Sequence, residues 1–178
     1  MDTITAEQFI NRIKSGETNF SKERFTVEGV VCLENLTVGK TFSLGAIIFT
    51  GVFDCGRTIF EQSFHCNQAI FKDFFNCNQA TFKEFFCCDE VTFEHNFYCG
   101  EAIFEYDFIC CEAVFKRFFN CMQATFKSNF VCNKATFSSC GGVISGDLPE
   151  LAWLIAMYKT SGVHFTLEQA RTFFKSEQ

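Results

Sequence analysis

The amino-acid sequence predicts an all-β solenoid: a four-sided coil of short strands, stacked about five coils deep, with a short helix at each end. Two observations lead there. Phenylalanine recurs at a fixed step of eleven, and the apolar residues of each unit fall in pairs separated by two. A repeat of this kind defines the fold before any local propensity is weighed. A chain of 178 residues, 48% hydrophobic and 20% charged, is enough for one well-buried domain.

Residues 1–19 read as a cap. Thr5 and Gln8 have the spacing of a reciprocal helix cap, Phe9, Ile10 and Ile13 form one apolar face, and Ser15-Gly16 is a stop signal. Residues 20–137 hold the repeat. One Phe series runs from Phe49 to Phe137 and a second from Phe42 to Phe130, both in steps of eleven. A Cys follows two residues after members of the second series, from Cys55 to Cys132. Ala69, Ala80, Val91, Ala102, Ala113, Ala124 and Ala135 stand two residues before members of the first. Weaker copies with Val27, Val31, Leu33, Val38 and Leu44 carry the register back toward Phe20 and Phe25.

An eleven-residue period also suits a right-handed helical coiled coil. On a helix the two Phe positions lie about 40° apart, but Cys and Ala fall on the far side and no seam forms. Spacing by two is instead that of same-face residues on a short extended segment. Two inward Phe do not fit inside a coil of eleven residues, so the coil has four sides and spans two units. Five coils give a rod of roughly 25 Å at a strand spacing of about 4.8 Å. Phe60, Phe82, Phe104 and Phe126 then form one internal stack, and Phe71, Phe93, Phe115 and Phe137 a second across from it.

Residues 138–178 read as a C-terminal cap or dimerisation segment. The repeat ends in SSCGGVISGD. LPELAWLIAMYKTSG then gives a helix with Leu151, Leu154, Ile155 and Tyr158 in its apolar stripe, and a second short helix starts near Thr166. Terminal elements cover the open ends of an apolar stack, which repeat proteins require. The same stripe is the candidate contact of a homodimer.

The run ATFKEFFCCDEVTF resembles the pentapeptide repeat family, in the branch where five- and six-residue spacings alternate. The resemblance implies a right-handed quadrilateral parallel β-helix with a small and a large apolar residue inward on each side. It also implies an end-to-end dimer through the C-terminal segment. On alternate sides the order here is Phe then Cys, the reverse of the family's small-then-large pattern; the swap conserves volume and leaves the fold unchanged.

The residues give little sign of catalysis. The Cys series reads as packing, since no C-x-x-C pair of a zinc site occurs. Cys32, Cys87, Cys111 and Cys140 lie off that series, and Cys87 and Cys111 are expected to face outward as the reactive thiols. His65, His95 and His164 are isolated, and neither a nucleophile elbow nor a glycine-rich phosphate loop is present. The expectation is a non-enzyme without metal or cofactor. The N-terminus has no apolar signal-peptide centre and the chain no run of eighteen apolar residues, which points to the cytoplasm and away from a membrane. Secretion as an effector stays open, because some relatives by resemblance are secreted. The net charge of -6 argues against direct nucleic-acid binding and permits a basic protein partner.

The outward positions carry the functional expectations. Between Lys83 and Lys116 there is no Lys or Arg. Glu90, Glu101 and Glu112 share one repeat position, and Glu94 and Glu105 stand where Lys72, Lys83, Lys116 and Lys127 stand on either side. With Asp107 they predict an acidic belt round the middle of the rod. Phe74, Phe85 and Phe118 each precede an inward Phe and are expected to point outward, Phe74 and Phe118 in one column with Asn96 between them. The leading reading is a non-catalytic scaffold that binds a protein partner through its outer faces. The alternative, carried by the resemblance, is a DNA mimic whose acidic rod occupies the basic channel of DNA gyrase or another topoisomerase, as in relatives that confer fluoroquinolone resistance.

Overall fold

The structure, a computed structural model, describes residues 1–141. The expected C-terminal helix with Leu151, Leu154, Ile155 and Tyr158 lies outside the described residues. Within them the chain is a parallel β-solenoid of about six turns with one short helix at its N-terminal end. A typical turn has four two-residue strands: Ile70–Phe71, Phe75–Asn76, Thr81–Phe82 and Phe86–Cys87. Each pairs in register with the strand two units on, Ile70 with Thr92, Phe75 with Phe97, Thr81 with Ile103 and Phe86 with Phe108. Two of the four faces join through a continuous strand, Val114–Asn120, that rounds a corner.

Both Phe series point inward and are buried, as are the Cys and Ala series. Phe60, Phe82, Phe104 and Phe126 stack nearly parallel at 5.0, 5.0 and 4.8 Å. Phe71, Phe93, Phe115 and Phe137 stack at 5.2, 4.9 and 4.6 Å. The rise of one strand per coil, about 4.8 Å, imposes that spacing. The second series adds two more stacks, which meet edge-on near the axis, as Phe64 and Phe75 do at 6.2 Å and 73°. Around each F-x-x-x-F corner the rings are also edge-on: Phe82 and Phe86 are 4.8 Å apart at 79°. Parallel-stacked contacts along the axis and T-shaped contacts across it are both favourable for aromatic rings, at about 0.5–1.5 kcal/mol per pair beyond burial. Thr58 is the buried polar residue in the small-residue column, and its hydroxyl donates to the Leu33 carbonyl at 2.6 Å.

The other corner is a β-turn running from Cys to Ala, as in Cys77–Ala80, closed by the Ala80 N–H donating to the Cys77 carbonyl at 3.1 Å. Its third residue, Gln79, has φ 60°, the positive value that type II turns demand. The Gln79 N–H donates to the Gly100 carbonyl of the next coil at 2.8 Å, so the turn also stitches coils together.

The N-terminal cap is more than a helix. Asp2–Thr5 is a strand that pairs in parallel with Phe25–Glu28 and extends one wall of the solenoid. The helix, α1, follows at Ala6–Lys14 with the expected reciprocal cap: the Gln8 N–H donates to Thr5 Oγ1 at 3.2 Å and the Thr5 N–H to Gln8 Oε1 at 2.8 Å. Phe9 closes the core end against Phe20, Phe49 and Phe25, at 4.9, 5.5 and 6.1 Å. Arg12 lies over the Phe20 and Phe25 rings and binds Glu17 and Glu23, each at 2.6 Å. Where the first two coils touch, a Cβ at Gly51 would run into the Gly29 carbonyl, which fixes glycine there.

Candidate interaction surface

The acidic positions do not form a belt of free carboxylates. Residues 22 apart share a column, and this brings Lys116 onto Glu94 at 3.1 Å, Lys127 onto Glu105 at 3.1 Å and Lys134 onto Glu112 at 2.8 Å. Lys83 pairs with Glu61 at 2.9 Å in the same way. Glu90 and Glu101 accept from the side-chain amides of Gln68 and Gln79, at 3.2 and 3.1 Å. Asp107 accepts from Ser128 Oγ at 2.6 Å and from both the backbone and side-chain nitrogens of Asn129. The expected belt is thus a set of cross-coil ladders, three of its carboxylates neutralised by a lysine one coil further on. Glu90, Glu101 and Glu112 are the φ-positive turn residues themselves, at 55°, 57° and 57°.

Phe74, Phe85 and Phe118 are half-buried, not fully outward. Phe74 packs edge-on to His95 at 4.3 Å and contacts Tyr98 at 5.8 Å. Asn96 joins this cluster, donating from Nδ2 to Tyr98 Oη at 2.7 Å and accepting the Phe118 N–H at 3.2 Å. Phe85 lies on another face against Tyr106, which is 50% exposed. The Phe74 cluster borders a depression of about 290 Å³ lined by Val52, Asp54, Phe74, Asn76, Asn78 and Tyr98. Round the corner Asn76 and Asn78 also line a second, of about 320 Å³, with Arg57, Gln79, Glu101 and Asn120. The two depressions share Asn76 and Asn78 as lining residues, with aromatic walls in the first and amides and charges in the second.

These walls are held stiffly. Asn76 donates to Asp54 at 3.0 Å and accepts the Asn78 N–H at 3.1 Å, while Asn78 Oδ1 accepts the Gly100 N–H at 2.6 Å. Arg57 donates to Gln79 at 2.9 Å. His95, isolated in the sequence, packs against Phe74, and Tyr98, Asn76 and Asn78 carry no sequence signal of their own, although adding 22 to Asp73 and Asn76 places His95 and Tyr98 directly above them.

The thiols correct one expectation. Cys87 is buried at 9% exposure, Cys111 is half-buried and Cys32 is exposed. Cys87 sits in register above His65, with Asp89 close to both, an arrangement with the members of a nucleophile, base and orienting acid. Its electrostatics are the reverse of an activated thiol: burial, then Asp89 and Asp107, pushes Cys87 up to about 11. Burial also lowers the His65 imidazole, against a smaller opposing pull from Asp89. Among the described residues no group of three or more His, Cys, Asp and Glu could hold a metal ion, and no helix is long and apolar enough to cross a membrane.

No family model, no curated protein and no solved structure matches this chain. The regular parallel β-solenoid, with Phe, Thr and Ile recurring about every five residues, is consistent with a pentapeptide-repeat fold.

Proposed function

We propose that the chain is a non-catalytic scaffold of the pentapeptide-repeat type, binding a protein partner through the face that carries Phe74, His95 and Tyr98. The observation that carries this reading is the half-buried aromatic cluster opening onto a stiff, amide-lined depression. Aromatic residues over a pre-ordered polar rim supply contact area at little entropic cost, the composition found at the centre of protein interfaces. Substituting Phe74 and Tyr98 together with Ser is expected to abolish capture of the partner from lysate, with Phe85→Ser on another face as the control. Equal capture by the double variant and the parent would remove this face from consideration.

DNA mimicry of a gyrase substrate is the second reading. The lysine partners of Glu94, Glu105 and Glu112 weaken its electrostatic support, because steering to a basic channel needs an unbalanced field. The expected result is unchanged gyrase supercoiling at micromolar protein; inhibition would restore the mimic. Cytoplasmic residence and a homodimer through Leu151, Leu154, Ile155 and Tyr158 complete the proposal. Sedimentation of a Leu154→Asp variant tests the dimer.

A further inference from the structure

A separate site lies at the N-terminal end of the core. The column of Phe60, Phe82, Phe104 and Phe126 begins with Val38, a much smaller side chain. The small-residue column of Thr58, Ala80, Ala102 and Ala124 begins with Leu36. Those four residues are at most 2% exposed, whereas Leu36, at the same repeat position, is 38% exposed. The reason is that α1 caps this end unevenly: Phe9 covers Phe20, Phe25 and Phe49. A depression of about 440 Å³ is left between Ile13 at the end of α1 and the segment from Leu36 to Lys40. That volume is within the range of small-ligand sites, about 300–1,000 Å³. A Cβ added at Gly16 or Gly39, both in its wall, would touch nothing.

The rim is cationic. Lys14 and Lys40 both line the depression, both are exposed, and neither has an ion-pair partner among the described residues. We propose that this depression binds a medium-chain fatty acid, with its hydrocarbon on Ile13, Leu36 and Val38 and its carboxylate held by Lys14 and Lys40. The last carbonyls of α1 carry partial negative charge, so the two lysines must supply the whole attraction for the head group. The aliphatic part replaces the coil that would otherwise cover Leu36, and the head group matches Lys14 and Lys40, the charged side chains among the described residues that line the depression.

Calorimetric titration of the full chain with hexanoate, octanoate and decanoate tests this. Saturable binding is expected, tightening about fourfold for each added methylene, which corresponds to ~0.8 kcal/mol, until the depression is full. Lys14→Gln with Lys40→Gln is expected to weaken octanoate at least about tenfold and leave methyl octanoate unchanged. Leu36→Asp is expected to remove both ligands while the circular dichroism stays that of the folded solenoid, with a lower melting temperature because Leu36 is more than half buried. No saturable octanoate binding, equal affinity of the parent for acid and methyl ester, or parent-like binding by Leu36→Asp would each overturn the assignment.

Discussion

At the scale of single residues, the backbone explains what charge alone had suggested. Nine non-glycine residues among those described, from Asn35 to Lys134, hold φ between 55° and 64°. An L-residue in this region costs about 1–2 kcal/mol, least for Asn. Glu90, Glu101 and Glu112 were grouped by sequence as a charged column; they are first of all turn residues, a fact hidden because neither Glu nor Gln signals positive φ. Gln123, exposed at φ 60°, makes the test. Gln123→Asn is expected to raise stability by about 0.5–1 kcal/mol and Gln123→Val to lower it by about 1–2, read from denaturant midpoints. The thiols give a second prediction. Among the described thiols Cys32 reacts first with a disulfide reagent, Cys111 more slowly, and Cys87 very slowly at pH 8, where a thiol at about 11 is only about one part in a thousand ionised. Burial raises Cys55, Cys66, Cys77, Cys88 and Cys99 well above the ordinary thiol range, so these react only on unfolding. Rapid modification of Cys77 in folded protein would contradict this packing.

At the scale of elements, the inner faces were readable and the outer ones were not. Phe82 and Phe86 could be assigned inward because their period is that of the backbone. The partner of Glu94 depends on which residue sits one coil away, and that requires the coil length to be applied to the surface as well as to the core. The lysine–glutamate pairs between coils are exposed and stabilise little, whereas the bonds of Asp54 to Asn76 and of Asp107 to Asn129 are part-buried. The N-terminal helix offers a sharper test. The hydrogen bond from Arg12 holds the Glu17 carboxyl below its usual range, against an opposing desolvation and with a lesser contribution from the Arg12 charge. A depressed carboxylate stabilises above its unfolded value, about 4.3, and loses that contribution as pH falls through the folded value. Arg12→Met is therefore expected to flatten the acid limb of the stability profile, and to lower stability at pH 7 by about 1 kcal/mol from lost ion pairing and ring contact. The strand Asp2–Thr5 escaped the sequence reading because DTIT is too short to show alternation and the capping signal at Thr5 dominated it.

At the scale of the whole molecule, neighbouring coils are joined by contacts spanning about one turn, so coils are nearly interchangeable. Removing residues 79–100, one full coil, is expected to leave a folded solenoid by circular dichroism, with a lower melting temperature. The deletion brings Glu105 over Glu61, and Glu61→Lys in the shortened chain is expected to recover part of the loss. Collapse of the shortened chain to a random coil would show that the coils are not separable units. Near-identical Phe stacks make the interior blind to its own numbering: a chain that looped out one coil would bury its rings almost as well. The outer ladders are not blind. Glu61, Lys83, Glu105 and Lys127 alternate in sign up one column, so a slip of one coil sets glutamate on glutamate or lysine on lysine. The aromatic interior supplies cohesion, and the modest surface pairs tell the winding chain how many times it has gone round.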